Sequence, residues 1–161
     1  MQEVSEFSER DLRDALACFV TGVTVVTTMT PRGPLGITAN SFASVSLDPP
    51  LVLWSPARKS RRFPAFEAAA HFAIHVLAAD QQALAERFAR TGDAFAGLAY
   101  GRGAGDAPLL DGAAARFECR HAAGHDAGDH LIVVGEVLRL TASNRPPLVF
   151  HAGAYRGLGP A

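Results

Sequence analysis

Val23-Thr24-Val25-Val26-Thr27-Thr28-Met29 is β-branched at every position but the last, and threonine is its only polar residue. Branching at Cβ favours extended backbone, and Pro31-Arg32-Gly33-Pro34 follows with the residues of a turn. A second extended run from Leu35 to Ala43 then predicts a hairpin. Further on, Val45 to Leu47 continues extended, Asp48-Pro49-Pro50 turns the chain, and Leu51 to Trp54 reads as a short buried strand.

Upstream, Ser8 caps a helix with Asp11 as its capping-box partner, and Leu12, Ala15, Leu16 and Phe19 form an apolar stripe that ends before Gly22. Downstream, Arg58 to Ala70 has helical composition and Phe72 to Leu77 is a strand. A helix capped by Asp80 carries Leu84 and Phe88 and stops at Thr91-Gly92-Asp93. Residues 97–113 read as a surface loop. Ala115 to Ala122 and Leu131 to Leu140 are two strands joined by a polar loop, Ala123 to His130, and Leu148 to Tyr155 adds a last short strand. Strands dominate and no β-α-β alternation appears, so the expected class is mainly β, a barrel with peripheral helices.

At 161 residues the chain suits one domain with one site. Fifteen basic and sixteen acidic residues leave a net charge of −1, which argues against a nucleic-acid partner while leaving room for a local basic cluster to hold one small anion. Met1 to Ser8 lacks the basic end and apolar run of a secretory signal, and every apolar stretch is shorter than a membrane span, so the expected address is the cytoplasm. Cys18 and Cys119 lack CxxC spacing and read as buried, reduced thiols.

Three stretches bear on chemistry. Gly101-Arg102-Gly103-Ala104-Gly105 has neither the spacing nor the strand-to-helix setting of a dinucleotide fingerprint, and reads as a flexible loop with Arg102 a solvated charge. Ser55-Pro56-Ala57-Arg58-Lys59-Ser60-Arg61-Arg62 follows a strand and opens the expected helix. Its backbone N–H groups, hydroxyls and cations could cradle a phosphate ester; equally, Ser60 could cap the helix while Arg61 and Arg62 decorate it. Gly36 to Ser46 is small and hydroxyl-rich, which lets a flat ligand approach the backbone and find donors and acceptors at its polar edge; an edge strand with one wet face would explain the alternation but not the clustering. His121 and His125 have HxxxH spacing, but a strand-loop setting argues against a metal site, and both read as exposed loop residues. No GxSxG elbow or CxxC pair points to a hydrolase or thiol chemistry.

Several motifs, each weak alone, carry a resemblance by their order. They are Phe19-Val20-Thr21-Gly22-Val23-Thr24-Val25-Val26-Thr27, Gly36-Ile37-Thr38-Ala39-Asn40-Ser41-Phe42 and Ser44-Val45-Ser46-Leu47-Asp48-Pro49-Pro50, followed by Ser60. Then come Asp80-Gln81 with Arg87-Phe88-Ala89, Pro108-Leu109-Leu110, and Gly128-Asp129-His130 before Val133-Val134-Gly135-Glu136-Val137. Across nearly its whole length the chain resembles the short-chain flavin reductase family, whose fold is the FMN-binding split β-barrel. His75 stands where many members have asparagine and reads as a paired core histidine. Ser55-Pro56 stands where members often carry cysteine or asparagine nearby.

The resemblance implies a single flavin reductase-like domain over residues 1–161. It implies a homodimer that reduces free FMN or FAD with NADH or NADPH and passes the reduced flavin to a separate monooxygenase; a non-catalytic flavin- or haem-binding role on the same barrel is the alternative. By matching position, Thr38, Ala39, Asn40 and Ser41 would lie along the isoalloxazine, and Ser55, Arg58, Lys59 and Ser60 would bind the flavin phosphate. Phe88 and Ala89 would close the pocket. Asp129, His130 and Tyr155 would position the nicotinamide, with no residue serving as an acid or base, because hydride transfer belongs to the two cofactors.

Overall fold

The structure, a computed structural model, describes residues 6–158; the Met1–Ser5 part of the segment read against a secretory signal lies outside them. From the N-terminus the chain forms α1 (Glu9–Leu16), β1 (Thr21–Gly22), β2 (Thr24–Thr30), β3 (Gly33–Ala39), β4 (Ala43–Leu47) and β5 (Pro50–Trp54). There follow α2 (Phe63–Glu67), β6 (His71–Val76), α3 (Gln82–Arg90), β7 (Tyr100–Arg102) and β8 (Pro108–Leu110). The last elements are β9 (Ala115–Ala127), β10 (His130–Ala142), β11 (Val149–His151) and β12 (Ala154–Arg156). The class is mainly β with peripheral helices, as expected.

Strand β2 decides the architecture because it is buried on both faces. Val26 packs with Trp54, Phe66, Phe72 and Ile74 inside the barrel, whereas Val23 and Val25 face Leu77, Phe88 and Leu148 on the other side. A doubly buried strand reads as a continuous apolar run, and its threonines survive burial by donating to carbonyls. Thr24 bonds the Ala39 carbonyl at 2.7 Å, Thr27 that of Pro108 at 2.6 Å, and Thr28 that of His71 at 2.8 Å.

The main sheet has seven strands in the order β3-β2-β6-β9-β10-β5-β4. Consecutive strands β3 and β4 therefore sit at opposite edges, joined only by Asn40-Ser41-Phe42. From Ala39 to Ala43 an extended chain reaches about 14 Å, so the sheet must roll until its edges nearly meet. The result is a barrel split where Asn40–Phe42 crosses the gap. A second sheet, β1-β11-β12, packs beside this crossing and brings the C-terminal aromatics to it.

Several elements differ from the sequence expectation. Helix α2 starts at Phe63, not Arg58, with no side-chain cap; Pro64 lacks an N–H and is tolerated only in a first turn, so Arg58–Arg62 is left as turns. Asp80 is not a cap. It pairs with Arg145, and the Ala78 amide donates instead to Gln81 Oε1 at 3.0 Å. Residues 97–113 hold the β7–β8 hairpin, with Arg102 3.6 Å from Asp106 and the Ala104 amide bound to buried Glu118 at 3.0 Å. The segment expected to be a loop before His130 is strand up to Ala127, because Gly128, at φ +65°, allows a two-residue turn through Asp129. His121 and His125 thus lie on β9, and His121 is half-buried. Cys119 is buried as expected, its thiol pushed up to about 12 by burial. Cys18, expected to be buried, is exposed just past α1, a helix that itself buries none of its residues.

Candidate functional site

Two cavities open at the split in the barrel. The first, of about 220 Å³, is walled by Thr38, Ala39 and Asn40 from the end of β3, Ala89 from α3, and Val23, Phe150 and Tyr155. The second, of about 800 Å³, lies under α1 and takes in Asn40, His130, Phe150, His151, Arg13 and Phe19 among its walls. Asn40 and Phe150 line both, so the two spaces meet at the crossing segment.

The first cavity suits a flat polar heterocycle. Its strand, β3, is an edge strand paired only with β2, so alternate peptide groups lack ladder partners, and the alanines let a ring come close to them. The Thr38 hydroxyl donates to the Ala85 carbonyl at 2.6 Å; this fixes α3 against β3 and leaves the oxygen's lone pairs as its offering to a ligand. Phe88 does not reach the cavity. Its side chain is fully buried, lying over Gly36, where a Cβ would come within 2.6 Å of the ring. Of the expected pair, only Ala89 forms cavity wall.

The basic turn is fastened to the tip of the β9–β10 hairpin. The Arg58 amide donates to the Asp129 carbonyl at 2.8 Å and the Leu131 amide to the Pro56 carbonyl at 3.1 Å. Arg58 pairs with Asp126 and lies over Phe63, 5.2 Å from the ring centroid. Lys59 is exposed and has no ion-pair partner among the described residues. Ser60 Oγ accepts from the Arg62 amide at 3.2 Å. Ser55 donates its amide to Ser41 Oγ at 2.9 Å, which places both serines at the base of the crossing.

Arg62 has a role that its place in a basic run concealed. Its guanidinium donates to the carbonyls of Gly36 and Ala89, both at 3.1 Å, and to that of Phe88, clasping the end of α3 to β3. Burial lowers its pKa, and it is a structural cation rather than a free phosphate ligand.

On the hairpin tip, His130 Nδ1 lies 2.7 Å from Asp129 Oδ1. This hydrogen bond, ahead of every other cause, holds the Asp129 carboxyl below the ordinary range, so the carboxylate accepts from Nδ1–H. In the neutral ring Nε2 is then an acceptor. Tyr155 packs edge-on against Phe150, 5.4 Å between centroids, and burial raises its hydroxyl pKa. The structure thus groups Thr38, Ala39, Asn40, Ala89 and Tyr155 at one cavity and brings His130 to the adjoining one. Phe150, Arg13 and His151 escaped the sequence reading; the aromatic β11–β12 tail was the only signal for the first. No metal-binding cluster of His, Cys, Asp or Glu occurs among the described residues.

The chain is 60% identical over 148 residues to an FMN reductase (NADH) of Agrobacterium fabrum, covering 92% of this chain and 85% of that protein. It is 48% identical to the reductase component of a flavin-dependent trigonelline monooxygenase of Acinetobacter baylyi, across 91% of this chain but only 48% of the relative. Among solved structures, the NADH:FAD oxidoreductase of Streptomyces globisporus, in complex with NAD and FAD fragments, superposes with a TM-score of 0.91 at 38% identity, covering 99% of this chain and 98% of that one. Residues 16–159 match the flavin reductase like domain, and the chain belongs to the flavin reductase family.

Proposed function

We propose that this chain is an NAD(P)H:flavin oxidoreductase that reduces free FMN or FAD and supplies the reduced flavin to a separate monooxygenase. The observation that carries the reading is the meeting of the two cavities at Asn40 and Phe150. The small-walled space takes the isoalloxazine, and the space beside His130 takes the nicotinamide. When both are bound, the flavin accepts the hydride that the dihydronicotinamide gives up.

What the protein adds is position and dryness. Asn40 and the free edge of β3 face the flavin's polar rim, Ala39 and Ala89 set its depth, and Ser41 and Ser55 hold the crossing in place. Lys59, with Ser60 and the amides of the turn, meets the phosphate; Arg58 steadies that turn against the hairpin. Asp129 fixes the His130 ring so that Nε2 can accept from a carboxamide N–H. Phe150 and Tyr155 keep water from the meeting point. No side chain is required to move a proton in the transfer itself.

The assembly we propose is a homodimer of one flavin reductase-like domain, residues 1–161. Its support is α1, which buries nothing while Leu16 is 63% and Phe19 75% exposed beside the second cavity; such a face is normally covered. A cytoplasmic address rests on the exposed free thiol of Cys18. No helix among the described residues is long and apolar enough to cross a membrane.

The test is NADH and NADPH oxidation with added FMN or FAD, followed by anaerobic titration of flavin reduction. Turnover that requires both nicotinamide and free flavin is expected. A coloured protein that holds flavin yet leaves NADH untouched would instead be a binding module.

A further inference from the structure

Arg62 projects from a fixed post. Phe63 and Phe66 of α2, directly after it, are buried in the barrel core, and the Arg62 amide donates to Ser60 Oγ at 3.2 Å. Its side chain crosses from there to the last turn of α3, where the carbonyls of Phe88 and Ala89 belong to the groups that a helix end leaves without intrahelical partners. A cation is favoured at that end as well, because it meets the negative pole of the helix dipole.

Two glycines make room for the joint. A Cβ on Gly92 would come within 2.7 Å of Arg62 Cδ, and one on Gly36 within 2.6 Å of the Phe88 ring. The Gly36 amide donates to the Gly92 carbonyl at 2.9 Å, and the Gly36 carbonyl accepts from Arg62 at 3.1 Å. Gly36 on β3 thus gives its donor to one side of the joint and its acceptor to the other.

Helix α3 is therefore tied to β3 at two levels. The Thr38 hydroxyl holds the Ala85 carbonyl at 2.6 Å, and one turn further on Arg62 holds those of Phe88 and Ala89. The Phe88 ring against Gly36 sets how closely the helix lies, but apolar contact has no direction. The planar fork of a guanidinium does, and it fixes the rotation of the last turn, which carries Ala89 into the wall of the ring cavity.

We infer that Arg62 is a positioning residue for hydride transfer: by fixing Ala89 against the β3 residues of the cavity, it sets where the isoalloxazine comes to rest and so its separation from the nicotinamide. The inference rests on the flavin reading above. Arg62 acts through α3 and touches neither ring. Its effect is felt in the transfer step, where a displacement of about 1 Å costs about a hundredfold in rate.

The experiment is anaerobic single-turnover reduction of FMN by NADH, with both raised until the rate no longer increases, in the full chain and in Arg62→Met and Arg62→Lys. Arg62→Met should slow the step by about tenfold while KM for NADH stays within about twofold. Arg62→Lys keeps the charge at the helix end and should recover part of the rate. A lowered Tm with the native rate, measured well below that Tm, would make the clasp purely structural and overturn the inference. A raised KM for NADH with the native rate would overturn it too. If Arg62→Met does not fold, Gly92→Ala takes its place: the added methyl displaces the Arg62 stem, the same step should slow by about threefold, and a native rate overturns the inference. A native chain that passes no hydride to flavin would bring down the flavin reading itself, and this inference with it.

Discussion

One hydroxyl joins Ser41 to Ser55 twice: Ser41 Oγ accepts from the Ser55 amide at 2.9 Å and donates to the Ser55 carbonyl at 3.3 Å. Ser41 belongs to the segment that crosses the split, and Ser55 directly follows β5, which lies beside the opposite edge strand β4. This pair therefore fastens the gap beside Asn40. Ser41→Ala would leave two half-buried peptide groups without their partner, a loss of about 1–2 kcal/mol. Urea denaturation should show that drop, together with weaker flavin binding, and Ser41→Thr should restore most of both. An unchanged unfolding midpoint would mean that the link does not hold the edges together.

The Asp129–His130 contact makes a separable prediction. His130 lines only the cavity under α1, so His130→Ala should raise KM for NADH while the dissociation constant for FMN stays within about twofold. Asp129→Asn can no longer accept from Nδ1–H as a carboxylate and should raise the same KM to a smaller extent. Steady-state kinetics with flavin held in excess, paired with flavin titration, reads both. Equal loss of flavin affinity would remove His130 from the nicotinamide role.

What was legible in the sequence depended on whether local chemistry or tertiary packing set the outcome. The Ser8–Asp11 box, the β2–β3 hairpin and the Asp48–Pro50 turn are local, and the residues announce them. The β9–β10 hairpin was underestimated because alanines and histidines are poor strand formers, yet the turn at Gly128 and the ladder to β10 carry them into the sheet. In the basic run, composition could not tell Arg62, which clasps carbonyls, from Lys59, which faces solvent. Phe88 sat in a family motif, but only the packing of Gly36 shows that its ring points into the core. The cavities themselves arise from the rolling of the sheet, which brings residues 38–40, 89, 130 and 150–155 together and which no local pattern encodes.

The basic turn can be tested by choosing ligands that differ only in the phosphate. Lys59 and Ser60 are offered to the flavin phosphate, and riboflavin has none. Lys59→Ala combined with Ser60→Ala removes one charge-assisted and one neutral donor, together about 2–4 kcal/mol. FMN binding should weaken by about thirtyfold or more, whereas riboflavin affinity should change by less than about threefold. Isothermal titration with both ligands decides the matter, and parallel weakening would take the phosphate away from this turn.

His75 ties stability to pH through the core. It is fully buried, its Nδ1 lies 3.0 Å from the Val25 carbonyl, and the Leu110 amide donates to its Nε2 at 3.0 Å. The neutral ring with the proton on Nδ1 satisfies both partners; a second proton, on Nε2, would oppose the Leu110 N–H in a fully buried site. Burial, ahead of the opposing Val25 bond and the added effect of Arg116, pushes its pKa down to about 4 from 6.5. The folded state thus binds this proton less readily than the unfolded chain, so the contribution is complete above about pH 6.5 and declines as pH falls toward 4. At about 1.4 kcal/mol per unit, the loss across that window is about 3 kcal/mol. Urea melts between pH 7 and pH 4 should show this decline in the native chain, and His75→Asn, which cannot titrate, should lack that portion of it even if its stability at pH 7 is lower. Parallel stability curves for the two proteins would mean that His75 is not the group being protonated.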